Sequence, residues 1–167
     1  MKVNILLGRF QPFTLGHLKC ATKVYKTKNI PTVLCVIDTI KQDDRHPFLT
    51  KTLWRYFKKL VDKYDEIQDV VLVKNADILA IGKALGEKNY DPVTWTCGTD
   101  RYSAYNSMCK KYAPSVEVIE IDRSEGDISA TQVRQCIKAG DEDGFKRLVP
   151  ECWWNLFSKL KEILDNL

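Results

Sequence analysis

The alternation of short apolar runs with amphipathic segments constrains this chain more than any other feature. Val3–Leu7 reads as a strand buried on both faces, and Leu18, Ala21, Val24 and Tyr25 then recur at helical spacing. Thr32–Ile37 is a second strand, and Leu53, Trp54, Phe57, Leu60 and Val61 mark a second helix. Strands over 70–73, 93–97 and 116–121 follow. They are separated by a short helix over 79–85 and a longer one marked by Tyr102, Tyr105, Met108, Cys109 and Tyr112. Val133, Cys136 and Ile137, then Phe145 and Leu148, then Trp153, Phe157, Leu160 and Leu164 continue the helical spacing to the end. Five strands separated by helices imply a parallel sheet. The expected fold is therefore α/β: a single Rossmann-like domain over 1–167, with a five-stranded parallel sheet, helices on both faces and a helical C-terminus from about residue 129.

Composition narrows the function. The chain has 167 residues, 44% hydrophobic and 29% charged, a globular balance. No apolar run approaches the ~20 residues that span a bilayer. The first apolar stretch is too short for a signal peptide and Gly8-Arg9 follows at once, so a cytoplasmic location is expected. None of the six cysteines forms a C-x-x-C pair. Reduced, mostly buried thiols are expected rather than a zinc site or disulfides. The net charge of +4 suits a site for polyanionic substrates as well as weak nucleic-acid affinity. With no long basic run and no aromatic-basic RNA motif, neither nucleic acid nor membrane is an expected partner. Trp153 and Trp154 are adjacent, so on an α-helix they point about 100° apart. One is expected to cover a neighbouring helix or a partner subunit of a homo-oligomer.

In a sheet of this kind, ligands bind beyond the carboxyl ends of the strands. The first such loop reads Gly8-Arg9-Phe10-Gln11-Pro12-Phe13-Thr14-Leu15-Gly16-His17. Gly8 allows close backbone approach. Gly16 and His17 sit at a helix start, where unpaired N–H groups and the dipole attract phosphate. Arg9 adds a planar donor fork. The same residues also describe a helix start capped by Thr14, with the histidine bonded to a neighbour. The late loop reads Ile128-Ser129-Ala130-Thr131-Gln132-Val133-Arg134. Ser129 and Gln132 are spaced as a capping box. Ser129, Thr131, the free N–H groups and Arg134 would make a second anion site.

Taken together, these segments carry a family resemblance. Thr14-Leu15-Gly16-His17 resembles the (H/T)-x-G-H motif of the nucleotidylyltransferase superfamily, and Ile128–Arg134 resembles its I-S-x-T-x-x-R motif. Gly8–Phe13 is similar to the G-R-F-Q-P-F of archaeal-type nicotinamide-mononucleotide adenylyltransferases, and Arg45-His46-Pro47-Phe48 to their R-x-P-F. The ending also resembles phage-encoded nucleotidylyltransferases. Two features depart from the archaeal-type pattern. Thr14 stands where those enzymes usually have His, as in phosphopantetheine adenylyltransferases. Asp77–Gly82 lacks the Trp that stacks on nicotinamide.

The resemblance implies an enzyme that transfers AMP from ATP to a phosphorylated acceptor, nicotinamide mononucleotide giving NAD, with release of pyrophosphate. It implies His17, Thr14 and Arg134 as catalytic. Gly8, Arg9, Phe10, Gly16, Gly98, Asp100, Ser129 and Thr131 would bind the nucleotide, and Arg45 and Lys41 the acceptor. Asp100 would accept from the ribose; its alternative reading is a cap of the following helix. Mg²⁺ would ride on the triphosphate, with no protein residue assigned to metal. The rival expectations are cytidylyl or adenylyl transfer to another phosphorylated metabolite, such as a sugar, an alcohol or pantetheine, and a nucleotide-binding regulator without catalysis. A class I aminoacyl-tRNA synthetase fragment shares the sheet and Gly-His loop but needs more chain than is here.

Overall fold

Residues 1–122 and 128–167 are described by a computed structural model; Asp127, next to the late motif, lies outside them. In chain order the elements are β1 (Lys2–Gly8), α1 (Leu15–Lys28), β2 (Thr32–Ile37), α2 (Thr50–Lys63), β3 (Ile67–Val73), α3 (Ile78–Gly86), β4 (Asp91–Gly98), α4 (Thr99–Tyr112) and β5 (Glu117–Ile121). They are followed by α5 (Ala130–Lys138), α6 (Glu142–Leu148), a 3₁₀ helix (Glu151–Leu156) and α7 (Phe157–Asp165). The five strands form one parallel sheet of order β3-β2-β1-β4-β5. After β3 the chain returns across the sheet to β4, so the strand order reverses between β1 and β4 and the crevice lies there.

Period-two alternation divides the strand side chains between two cores. Leu6, Leu34, Val36 and Val70 pack with α2 and the C-terminal helices, around Phe13, Phe48, Phe57, Phe145 and Trp153. Val3, Ile5, Val33, Cys35, Val71 and Val73 pack with α3 and α4, around Ile81, Leu85 and Trp95. The C-terminal helical segment therefore belongs to the first core rather than standing apart from it.

One polar network crosses the sheet. Asn4 is fully buried in β1. Its Nδ2 donates to Thr32 Oγ1 of β2 at 3.0 Å. Its Oδ1 accepts from Thr94 Oγ1 at 2.7 Å and Thr96 Oγ1 at 2.9 Å, both on β4. A one-residue slip would strand all three hydroxyls, so the network fixes the alignment of the three central strands.

The sequence reading places the C-terminal tryptophans in an α-helix; they lie in the 3₁₀ segment, which Trp153 N opens by donating to Pro150 O at 2.9 Å. Trp153 is buried and its Nε1 donates to Tyr56 O at 3.0 Å, while Trp154 Nε1 donates to Lys146 O at 3.0 Å. Trp154 thus covers α6 within its own chain. No disulfide forms among the described residues, and Cys20, Cys136 and Cys152 are only half-buried. Replacing Asn4 with Leu should cost about 3 kcal/mol in urea unfolding, since it leaves buried threonine hydroxyls unpaired.

Candidate active site

The first loop is shaped by its own backbone. Phe10 adopts a positive φ of 53° and turns its ring over Gly8, so a Cβ on Gly8 would lie 3.3 Å from that ring. Phe10 is buried and meets His17 edge-on at 4.9 Å, with Phe13 tilted against the same imidazole at 5.3 Å. Phe10, expected among the nucleotide-binding residues, is instead a wall behind His17. The space over Gly8 likewise holds that ring.

Thr14 is the N-cap of α1 and His17 is its third helical residue. Thr14 Oγ1 accepts from His17 N at 3.3 Å, and His17 Nδ1 accepts from Thr14 N at 3.0 Å. This is a capping box in which histidine replaces the usual Glu or Gln. Because a backbone amide donates to Nδ1, the neutral ring carries its proton on Nε2. Thr14 is 0% exposed. Thr14, expected among the catalytic residues, is buried beneath the ring and sets the orientation of His17.

The late loop meets the first one through Gly16. A Cβ there would approach Ile128 O to 2.9 Å, so the glycine lets the backbone before α5 pack against the start of α1. Ser129 caps α5 by accepting from Gln132 N at 3.1 Å. Only this half of the expected capping box is found among the described residues. Arg134 reaches back from the next turn. Its Nη1 donates to Gln11 O at 2.7 Å and its Nη2 to Thr131 Oγ1 at 3.3 Å. Burial and the neighbouring Arg45 guanidinium hold the Arg134 pKa below its ordinary value. Arg45, expected toward the acceptor, thus lies within electrostatic reach of Arg134.

Arg45 belongs to the loop between β2 and α2. Asp43 Oδ1 accepts from the amides of Arg45 at 2.9 Å and His46 at 2.7 Å, and these bonds depress the exposed Asp43 carboxyl pKa. Arg9 Nη1 donates to Asp38 O and Thr39 Oγ1, both at 3.1 Å, tying the end of β1 to the end of β2. Lys41 is exposed on the same loop. Among the described residues, no carboxylate forms an ion pair with Arg9, Arg45 or Arg134. The Arg9 and Arg134 guanidiniums are therefore oriented by neutral oxygens and keep their charge for an anion.

Gln11 is the residue the sequence reading missed. It is 4% exposed, and its side-chain amide clamps the backbone of Phe48. Nε2 donates to Phe48 O and Oε1 accepts from Phe48 N, each at 2.8 Å. A polar residue between Phe10 and Phe13, both buried, was the available signal.

Gly98 and Asp100 sit at the start of α4. Gly98 itself is the N-cap and Asp100 is exposed in the first turn, so the reading of Asp100 as the cap is corrected. At Cys97, just before, burial foremost, with Asp100 nearby, pushes the thiol up to about 11. Asp77 caps α3 by accepting from Leu79 N at 3.0 Å. Leu79 is 55% exposed beside an open groove of about 540 Å³ that Asn75, Met108 and Tyr112 also line. Among the described residues, no group of three or more His, Cys, Asp or Glu is placed to hold a metal ion, and no helix is long and apolar enough to cross a membrane.

This parallel sheet, with a histidine-capped helix after β1 and an arginine-bearing helix after β5, defines the nucleotidylyltransferase class. The chain belongs to the citrate lyase ligase C-terminal domain family, whose model matches residues 50–157. No curated protein matches it. Among solved structures, it is similar to the nicotinic acid mononucleotide adenylyltransferase of Plasmodium falciparum complexed with APC, at 15% identity and a TM-score of 0.61, covering 97% of this chain and 98% of that one. A putative nicotinate-nucleotide adenylyltransferase from Vibrio parahaemolyticus shares 16% identity at a TM-score of 0.63, over 93% and 97% of the two chains. The bifunctional NMN adenylyltransferase/ADP ribose pyrophosphatase of Francisella tularensis, complexed with AMP and a manganese ion, gives 15% identity and a TM-score of 0.68, over 99% of this chain and 51% of that one. These likenesses establish the fold.

Gly16→Ala should destabilise the protein by about 1–3 kcal/mol, because a backbone carbonyl must move. Gly82→Ala is the contrast: nothing lies within 4 Å of its Cβ position. In the middle of α3 it should stabilise by about 0.5–1 kcal/mol. Thermal unfolding of both variants checks the pair.

Proposed function

We propose that the chain transfers the nucleoside monophosphate part of ATP to a phosphorylated acceptor, nicotinamide mononucleotide, giving NAD and pyrophosphate. The observation that supports this reading is that Arg134 reaches Gln11 of the first loop and lies within electrostatic reach of Arg45, neither arginine being paired with a described carboxylate, while in the same first loop a backbone amide fixes the proton of the neutral His17 ring on Nε2. An acceptor phosphate oxygen attacks the α-phosphorus in line, forming the new P–O bond as the bond to the β-phosphate oxygen breaks. The attacking phosphate is already anionic near neutral pH, so no general base is needed. The protein contributes position and charge stabilisation.

In this reading His17 Nε2 donates to the phosphate chain as negative charge develops. Thr14 acts through His17 and does not touch the nucleotide. Arg134 and the amides at the start of α5, with Ser129 and Thr131, hold the β- and γ-phosphates. Arg9 and Arg45 neutralise the space between donor and acceptor, with Lys41 reaching in from the loop. Gly98 lets the nucleoside approach β4, and Asp100 accepts from the ribose. A divalent cation, Mg²⁺, would take its ligands from phosphate oxygens and water, since the residues around His17 supply guanidiniums and hydroxyls rather than a carboxylate cluster. The whole chain from 1 to 167 serves as one catalytic domain.

A second reading keeps the chemistry and changes the acceptor to another phosphorylated metabolite. Leu79 favours it, since it stands exposed in the segment where the similar enzymes carry a stacking Trp. Purified protein given ATP or CTP with each acceptor separates the two readings. Pyrophosphate release from ATP only with nicotinamide mononucleotide supports the first; release only with CTP and a different acceptor overturns it. His17→Ala should lower turnover by roughly 10²–10³, and an unchanged rate would remove His17 from the mechanism.

A further inference from the structure

We infer that Gln11 is a positioning residue that sets Arg134 and the Arg45 loop as one polyphosphate-gripping unit; this rests on reading the site as one that binds a polyphosphate. Gln11 makes three bonds that no other described residue combines. Its side chain holds Phe48 by both backbone groups at 2.8 Å, and its carbonyl oxygen takes Arg134 Nη1 at 2.7 Å. Phe48 lies three residues beyond Arg45 on a loop that braces itself: Gln42 Nε2 donates to Pro47 O at 2.9 Å, and Asp43 receives the Arg45 and His46 amides. At its start, the loop is tied to α2, because Thr50 N donates to Thr39 O at 3.0 Å and Thr39 N to Thr50 Oγ1 at 2.6 Å. The braced segment from Gln42 to Pro47 therefore takes its place from what holds Phe48. That holder is the same residue that orients the Arg134 guanidinium.

The demand on residue 11 is chemically narrow. Its side chain must donate and accept side by side, at one length, in a site that is 4% exposed. A protonated Glu does this with one O–H and one C=O, whereas an ionised Glu has no donor for Phe48 O. Desolvation raises the pKa of a buried Glu, and Arg134 and Arg45, the charged groups nearby, oppose that rise. The sign follows: Gln11→Glu keeps the clamp at low pH and loses it as pH rises through the new carboxyl's pKa.

The test measures calorimetric affinity for inorganic tripolyphosphate, with thermal unfolding followed in parallel. Gln11→Glu should bind nearly as wild type does at about pH 5 and roughly tenfold more weakly at about pH 8. Gln11→Leu, which adds no charge, should bind roughly tenfold more weakly at both pH values. This separates loss of the clamp from repulsion by a carboxylate. In a chain lacking both arginines (Arg45→Ala with Arg134→Ala), Gln11→Leu should change affinity less than about twofold, because nothing remains to be positioned. A merely structural role would lower the unfolding temperature without this dependence on the arginines. Three results each overturn the inference: wild-type affinity in Gln11→Leu, a Gln11→Glu deficit equal at both pH values, or a full loss that persists without the arginines. A wild-type chain that binds tripolyphosphate yet transfers no nucleotide sinks the transferase reading alone; one that does not bind it sinks both.

Discussion

The amide of Gln11 holds the strand-end loops of this protein in one arrangement. It takes both backbone groups of Phe48, and the same residue's carbonyl takes Arg134. The loop after β1, the loop after β2 and the start of α5 come from distant parts of the chain, and they meet at this residue. A buried amide left unpaired costs about 1–3 kcal/mol. Satisfied on both sides it has few alternative partners, so it selects one arrangement of loops over others. The apolar surroundings favour the choice: Phe13, Phe48, Phe57 and Trp153 are all fully buried, and Phe10 nearly so.

This clamp allows positive charge to be concentrated without being neutralised. Two guanidiniums about 5 Å apart repel by roughly 3 kcal/mol at an effective dielectric of about 20. An adjacent carboxylate would relieve that repulsion and also remove the attraction for a ligand. Here Arg134 and Arg9 are instead oriented by uncharged oxygens: Gln11 O, Thr131 Oγ1, Asp38 O and Thr39 Oγ1. Neutral acceptors fix direction and leave charge available. The capping box does the same for His17, spending Nδ1 on a backbone amide so that the proton stands on Nε2. On the proposed reading, the donors are aimed before the triphosphate arrives, and no reorganisation is required when charge develops.

The sheet, its parallel sense and the placement of both motifs were legible in the sequence because each depends on local signals: apolar runs, caps and loop position. What was not legible depends on partners distant in sequence. The order β3-β2-β1-β4-β5 is set by pairing across the sheet, and the Asn4 network joins residues up to 92 positions apart. Thr14 reads as a ligand from its place in a motif, yet its burial comes from what packs around it. Phe10 reads as part of a binding loop, and its positive φ folds it under His17. Gln11 carries no local signal beyond being polar among aromatics, since its bonds go 37 and 123 residues away. Asp100 shows the same limit on a smaller scale, because a two-residue shift of the helix start moved the cap to Gly98.

The acceptor side differs in kind. Side chains that grip the triphosphate in this reading are bonded to the frame, so the fold dictates them. In α3, Leu79 is exposed and Gly82 faces open space, so nothing in the frame specifies either residue. The packing leaves such positions open to vary, and a fold likeness at 14–16% identity does not reach them. The energetic weight of the missing Trp is nonetheless bounded. Stacking adds about 0.5–1.5 kcal/mol beyond the area it covers, which is roughly tenfold or less in affinity. Leu79 still offers apolar surface worth about 25 cal/mol for each Å² covered. On the proposed reading, loss of the stack would therefore weaken the hold on a nicotinamide ring without abolishing it. On the proposed reading, the charge that the loops would bring to the acceptor phosphate weighs more in choosing the substrate class than the ring does.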